Sequence, residues 1–123
     1  MPSIIVISGS QKGYYYPLGQ RTNVIGRDEA LPIQILDELV SRKHLQIRFD
    51  RDDRRYYAID MKSRHGLFIN GKKISSETVL VDGDRITIGK TNLVFTSKDF
   101  EDRESALSYY KKVGERIHTT LQE

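Results

Sequence analysis

Short apolar runs, each closed by turn-forming residues, recur along the first 97 residues of the chain. Residues 3–8 are rich in β-branched side chains and stop at Gly9, which predicts a buried strand followed by a turn. Residues 44–49 alternate apolar and polar positions, as a strand with one buried and one wet face does. The pair Asn70-Gly71 is the strongest short signal for a hairpin.

Further short runs fill most of the space between these segments. They cover residues 14–18, 22–25, 54–59, 67–69, 79–81, 85–88 and 93–95. Pro17 indicates a strand at a sheet edge, and Asp82-Gly83-Asp84 predicts a turn between two strands. Many short strands separated by Gly, Asn and Asp turns predict an all-β sandwich.

The pattern changes after Ser97, and we divide the chain into residues 1–97 and 98–123. Residues 99–123 contain no proline and one glycine, and their apolar positions recur at spacings of three and four. These positions are Leu107, Tyr110, Val113, Ile117 and Leu121. They predict a C-terminal amphipathic α-helix or linker, capped at Ser97 or Asp99. Its apolar stripe requires the sandwich, a second copy or another domain as a partner, and the near-heptad spacing favours self-association or an external helix.

Composition narrows the class of protein without naming a function. The 123 residues include no cysteine, which excludes disulfides, a thiolate nucleophile and a cysteine-based zinc site. No signal peptide is visible, and no run approaches the roughly 18–20 apolar residues that cross a bilayer. We therefore expect a cytoplasmic domain without a membrane partner. A net charge of +3 permits anionic ligands but does not require nucleic acid.

Three predicted loops carry donors suited to a phosphate group. They contain Gly26-Arg27, residues 41–44 (Ser-Arg-Lys-His) and residues 63–66 (Ser-Arg-His-Gly). A phosphorylated side chain offers three strong acceptor oxygens, so its site needs fixed donors such as an arginine fork and hydroxyls. Loops on a rigid scaffold can present such donors to a ligand.

Together with Asn70-Gly71, these motifs resemble the ordered signature of the forkhead-associated (FHA) domain family. The likeness extends over about residues 3 to 97 and includes a closing segment at residues 80–89. It implies an FHA/SMAD-like, two-sheet, mostly antiparallel β-sandwich of about eleven short strands. It also implies phosphothreonine-dependent protein–protein interaction in Ser/Thr kinase signalling. The implied partner is a phosphothreonine-containing protein or peptide, without a cofactor or metal.

The resemblance also implies a role for individual residues. Arg27 is similar to the family arginine that contacts the phosphopeptide, and Ser41 to the hydroxyl that binds a phosphate oxygen. Arg42 occupies a position bordering the phosphate, and Arg64 a second phosphate-loop contact. His65 stands where the family usually has an asparagine that binds the peptide backbone, which puts peptide selectivity in question. The structural motif consists of Gly26, His44, Gly66, Asn70 and Gly71.

Other function classes find less support in the sequence. A phospho-independent interaction or dimerisation module with the same fold is the main alternative, and nucleic-acid binding by the basic surface is a third. No P-loop, Gly-x-Ser-x-Gly or His-Glu-x-x-His motif is present. His44 lies close in sequence to Asp37 and Glu38 and could form a general-base pair with one of them, but no nucleophile or oxyanion hole is apparent. We therefore expect a protein that is not an enzyme.

Overall fold

The computed structural model describes residues 2–97, which form eleven short β-strands. In chain order they are β1 (Ser3–Val6), β2 (Tyr15–Pro17), β3 (Asn23–Gly26), β4 (Ile33–Gln34), β5 (Leu45–Asp50), β6 (Arg55–Asp60), β7 (Leu67–Ile69), β8 (Lys72–Lys73), β9 (Thr78–Leu80), β10 (Arg85–Ile88) and β11 (Thr91–Thr96). The predicted all-β fold with about eleven strands is confirmed. The predicted C-terminal helix lies outside the described residues.

The strands form two sheets whose topology is almost wholly antiparallel. One sheet has six strands in the order β2-β1-β11-β10-β7-β8, and the other has five in the order β4-β3-β5-β6-β9. The pair β3–β4 is the one parallel pair recorded in residues 2–97. The predicted turn at Asp82-Gly83-Asp84 connects strands of different sheets, so it is a crossing between layers and not a hairpin. No helix in the described part could span a membrane.

The core lies between the two sheets and is built by alternating strand positions. Leu45 and Ile47 of β5 belong to the same buried cluster as Ile86 and Ile88 of β10. The Tyr56 ring packs against neighbouring aromatic rings and donates a hydrogen bond from its hydroxyl to Gly19 O at 2.6 Å. Burial of these apolar side chains is the main driving force for the fold. The resulting rigid sandwich holds the inter-strand loops that carry the predicted site.

Candidate functional site

A cleft of about 640 Å³ opens between the loops that follow β3, β4 and β6. Its lining includes all five residues predicted to bind a phosphopeptide, which are Arg27, Ser41, Arg42, Arg64 and His65. These residues are separated by as many as 38 positions in the sequence, and the fold brings them together. The cleft is therefore a single site assembled from three loops.

The first loop begins at the end of β3, which lies so close to the backbone of the second loop that there is no room for a side chain. A Cβ atom added at Gly26 would lie 2.1 Å from Arg42 O and 2.9 Å from Ser41 O. The backbones meet this closely because Arg27 N donates to Ser41 O at 3.0 Å and Asp28 N donates to Arg42 O at 3.2 Å. Glycine at position 26 thus permits the contact that sets the spacing of two cleft loops.

A hydrogen bond to the backbone of the second loop orients the Arg27 side chain. Its Nε donates a hydrogen bond to Val40 O at 3.0 Å, while the residue as a whole stays exposed. No carboxylate of residues 2–97 forms a salt bridge with it. The terminal guanidinium nitrogens are therefore free to form a charge-assisted fork with an anion.

The second and third loops are joined through a hydroxyl. Arg64 N donates to Ser41 Oγ at 3.0 Å. A serine hydroxyl has one proton and two lone pairs, so this bond leaves the Ser41 proton available as a donor. Ser41 is half-buried at the cleft, whereas the side chains of Arg42 and Arg64 are exposed.

His44 lies fully buried beneath these loops and braces both of them. Its Nδ1 accepts a hydrogen bond from Ser41 N at 3.0 Å, and its Nε2 is 2.7 Å from Gly66 O. Because Nδ1 faces a donor and Nε2 faces an acceptor, these bonds assign the proton to Nε2. His44 is thus a structural residue below the cleft and does not reach its surface.

Side-chain bonds within the third loop give it its shape. Ser63 Oγ donates to Asp60 Oδ1 at 2.5 Å and accepts from Gly66 N at 3.0 Å. Lys62 and Gly66 have φ values of 56° and 91°, so the chain reverses sharply at both. Arg64 and His65, which lie between these two residues, are presented to the solvent.

Asn70 and Gly71 form the hairpin turn between β7 and β8 and do not line the cleft. Their φ values of 52° and 83° are the positive pair that a two-residue hairpin turn needs. Asn70 Nδ2 donates to Asp84 Oδ1 at 2.9 Å, and Asn70 Oδ1 accepts from Arg85 N at 2.9 Å. This side chain therefore joins the hairpin to the start of β10.

The charge of the cleft is strongly positive. Arg27, Arg42, Lys43 and Arg64 line it together with one acidic residue, Glu38. No salt bridge of Arg42 or Arg64 is recorded within the described part of the chain.

Lys43, Leu39 and Val40 also line the cleft but were not among the predicted site residues. Lys43 stands inside the quoted Ser-Arg-Lys-His motif, which was the available signal for it.

The sequence suggested Asp37 only as part of an acid–base pair and did not predict its structural role, which is to support the second loop from outside the cleft. Its Oδ1 accepts from Leu39 N at 2.9 Å, and its Oδ2 accepts from Lys90 N and Thr91 Oγ1, both at 2.8 Å. Burial raises the pKa of the Asp37 carboxyl, but these hydrogen bonds outweigh burial and hold its pKa below the ordinary value. The charged carboxylate thus ties the cleft loop to the β10–β11 turn.

Asp37 and His44 each bind other partners. The acid–base pair considered for Asp37 and His44 does not form, because the carboxylate binds Lys90 and Thr91 and both His44 nitrogens bind backbone groups. Within residues 2–97, no group of three His, Cys, Asp or Glu side chains could hold a metal ion. What the geometry provides is a set of fixed donors around an open, positively charged cleft.

A two-sheet sandwich that presents such donors from three loops defines a class of phosphate-recognition modules. The model of the FHA domain family matches residues 23–89, which include all three loops and the hairpin turn. The chain belongs to the FHA domain family.

Individual relatives agree with this assignment. The oxoglutarate dehydrogenase inhibitor of Corynebacterium jeikeium is 35% identical over 92 residues, covering 75% of this chain and 62% of the relative. The glycogen accumulation regulator GarA of Mycolicibacterium smegmatis is 33% identical, over 75% of this chain and 56% of its own. The chain thus spans about three fifths of the length of these curated relatives.

A solved structure from a structural and functional analysis of phosphothreonine-dependent FHA domain interactions has a similar fold. It is 28% identical, with a TM-score of 0.71, and the match covers 80% of this chain and 98% of that one. The fold of the whole sandwich is therefore shared with a solved FHA domain.

Proposed function

We propose that this chain is a non-catalytic interaction module that binds a phosphothreonine-containing protein through the cleft. In this proposal residues 1–97 form the phosphopeptide-binding domain, and residues 98–123 form a helix or linker beyond it. The partner is a protein modified by a Ser/Thr kinase, in the cytoplasm. Recognition proceeds by charge-assisted hydrogen bonds, and no covalent bond is made or broken.

The observation that carries the proposal is the shared bond between Ser41 and Arg64. Because Arg64 N occupies one lone pair of Ser41 Oγ, the hydroxyl proton is left to donate to a phosphate oxygen. Arg27, fixed by Val40 O, supplies a second donor group from the opposite loop. Arg42 and Arg64 add positive charge at the border of the same cleft. A phosphate with three acceptor oxygens matches this set better than a single carboxylate does.

His65 supplies the peptide contact in this proposal. It lines the cleft and is exposed, and no hydrogen bond of its ring to residues 2–97 is recorded. Its nitrogens are therefore available to a peptide backbone, as donor or acceptor according to the tautomer. Gly26, His44, Gly66, Asn70 and Gly71 act indirectly by holding the loops.

The relatives favour the same class of function. Two of them carry the names of an enzyme inhibitor and of a metabolic regulator, and neither name describes a catalyst. The solved neighbour belongs to a study of phosphothreonine-dependent interactions. By analogy, the expected ligand is phosphothreonine, with phosphoserine bound several-fold less tightly because it lacks a methyl group worth about 0.8 kcal/mol when buried.

Calorimetric titration of a matched peptide pair tests the proposal. One peptide carries phosphothreonine and the other threonine in the same sequence, chosen from an oriented phosphopeptide library. We expect binding of the phosphorylated peptide alone, and weaker binding of its phosphoserine counterpart. Equal affinity with and without phosphate would contradict the proposal and favour the phospho-independent interaction or dimerisation module.

A further inference from the structure

A second groove, of about 390 Å³, lies between the β7–β8 hairpin and the start of β9. Its polar lining consists of Lys72, Lys73, Ser75, Ser76 and Thr78, and Ile69 and Ile74 complete it. Lys73, Ser75 and Ser76 are exposed, and no hydrogen bond of their side chains to residues 2–97 is recorded. The groove thus combines two cations with two available serine hydroxyls, a set that suits an anionic side chain.

Lys73 connects this groove with the phosphate cleft. Its Cε lies 2.8 Å, and its Nζ 3.5 Å, from the position that a Cβ atom on Gly66 would occupy. Gly66 directly follows His65 in the third cleft loop. The aliphatic stem of Lys73 therefore lies against that loop, beside the residue that follows His65. Absence of a side chain at position 66 is what allows this approach.

The positive charge of Lys73 is not neutralised by the described residues. Glu77 is the one acidic residue between positions 70 and 80, and its Oε1 is 2.6 Å from Arg48 Nη2. This ion pair directs the Glu77 carboxylate to the outer face of β5. Within residues 2–97, no salt bridge of Lys73 is recorded. An anionic ligand is thus able to pair with Lys73 without displacing an existing partner.

We propose that Lys73 and this groove bind an anionic side chain of the phosphorylated partner, next to the phosphothreonine in sequence. The inference rests on the proposed function, since the phosphothreonine in the first cleft positions the peptide. Lys73 contacts Gly66, the neighbour of the cleft residue His65, and an extended chain rises about 3.3 Å per residue, so we expect the anionic residue within roughly four positions of the phosphothreonine. The anion is a carboxylate of Asp or Glu, or a second phosphate, and both share the chemistry that Lys73 and the serines recognise.

The test measures how much an acidic residue adds to phosphopeptide affinity. A phosphothreonine peptide with alanine at the four positions on each side is compared with peptides carrying one glutamate, or one phosphoserine, at each position in turn. Calorimetry is run on the whole chain, on Lys73→Gln, which keeps most of the stem that packs on Gly66, and on Lys12→Gln. Lys12 is an exposed lysine in the loop between β1 and β2 and is the matched control.

We expect one flanking position at which glutamate tightens binding about two- to five-fold, the range of an exposed charge pair. That gain should disappear in Lys73→Gln, persist in Lys12→Gln and shrink as salt rises. A larger gain from phosphoserine than from glutamate identifies a second phosphate as the preferred anion. A gain that survives in Lys73→Gln, or no gain at any position, overturns the inference while leaving phosphate-dependent binding intact. If the alanine-flanked phosphopeptide and its unphosphorylated form bind equally, the proposed function fails, and the inference fails with it.

Discussion

The hydroxyl of Ser41 accepts a hydrogen bond from the backbone amide of Arg64 at 3.0 Å, across two loops that are 23 residues apart in sequence. The same bond fixes the loop distance and leaves one hydroxyl proton to donate. Below the cleft, the buried His44 ring forms a second connection between the two loops, through hydrogen bonds with Ser41 N and Gly66 O. The cleft is therefore held in its shape before any ligand arrives, which reduces the entropy lost on binding.

Ser41→Ala removes the hydroxyl and both of its roles. We expect phosphopeptide affinity to fall by about 1.5–3 kcal/mol, since a hydrogen bond to a charged group is lost. The folded state should lose much less, because Arg64 N is near solvent and water can replace its partner. Calorimetry with the phosphothreonine peptide measures the change, and Ser10→Ala on an exposed loop is the control. Unchanged affinity in Ser41→Ala would exclude the hydroxyl as a phosphate contact.

Two substitutions at Arg27 distinguish the contribution of its charge from that of its side-chain orientation. Arg27→Ala should weaken phosphopeptide binding by about 1.5–3 kcal/mol, because a charge-assisted bond is lost. Arg27→Lys keeps the charge but loses Nε, and with it the bond to Val40 O that orients the side chain. We expect it to recover only part of the lost affinity. Lys12→Ala serves as the control for net charge, and an Arg27→Lys variant as tight as the native chain would show that orientation is unimportant.

His44→Ala should destabilise the whole sandwich. The ring is fully buried, and its removal leaves Ser41 N and Gly66 O without partners and a cavity between the loops. We expect the free energy of unfolding to fall by about 2–4 kcal/mol, as measured by urea denaturation. His65→Ala, at an exposed histidine, should change it by less than about 0.5 kcal/mol. Equal effects of the two substitutions would contradict the structural role of His44.

The sequence was sufficient for the fold class and for the strongest local signals. Alternation in β5 and the Asn70-Gly71 turn could be read directly, because both are local properties of consecutive residues. Two strands were not predicted. β4 has two residues and pairs in parallel with β3, and β8 consists of the exposed Lys72 and Lys73, so neither contains enough residues for periodicity to appear.

Long-range contacts limited how much of the site could be predicted from the sequence. Its five predicted residues came from motif order, which a sequence displays. Asp37 reaches Thr91 Oγ1 across 54 residues, and Lys73 reaches Gly66 through the packing of β8 beside β7. Such contacts depend on how the strands and sheets assemble, so the spacing of residues along the chain does not predict them. This is why the contact of Asp37 with the β10–β11 turn and the contact of Lys73 with the third loop were not predicted.

Asp37 should make the cleft loop sensitive to acid. Its folded pKa is lowered, so its contribution to stability is fully present above the ordinary value of 3.8 and is lost as pH falls through the folded pKa. Asp37→Asn replaces one of the two accepting oxygens with an NH2 donor, so either the bond from Leu39 N or the bonds from Lys90 N and Thr91 Oγ1 are lost, at a cost of about 1–3 kcal/mol at neutral pH. Urea denaturation of both proteins between neutral pH and about pH 3 should show the difference shrinking only below about pH 4. Glu29→Gln, at an exposed position, is the control, and a difference independent of pH would refute this role.

His65 is the site residue that departs from the usual FHA pattern, and His65→Asn tests what the departure does. Neutral histidine carries its one donor and one acceptor on two separate ring nitrogens, whereas the asparagine amide presents an oxygen acceptor and an NH2 donor side by side. His65 is exposed and lies beside Arg64, so the exchange should leave the fold and the phosphate contacts in place. We expect a changed preference among flanking residues, or tighter binding of many phosphopeptides, in an oriented library screened against both proteins.

Arg64→Ala is the matched comparison for this screen. Its loss of charge should weaken binding of every phosphopeptide by a similar factor, because the arginine acts on the phosphate that all of them share. His65→Asn should instead reorder the library, because position 65 reads the peptide around the phosphate. Identical library profiles for the native chain and His65→Asn would mean that His65 does not contact the peptide. The selectivity for flanking residues would then have to come from Lys43 or Leu39 in the cleft, or from the second groove that Lys73 lines.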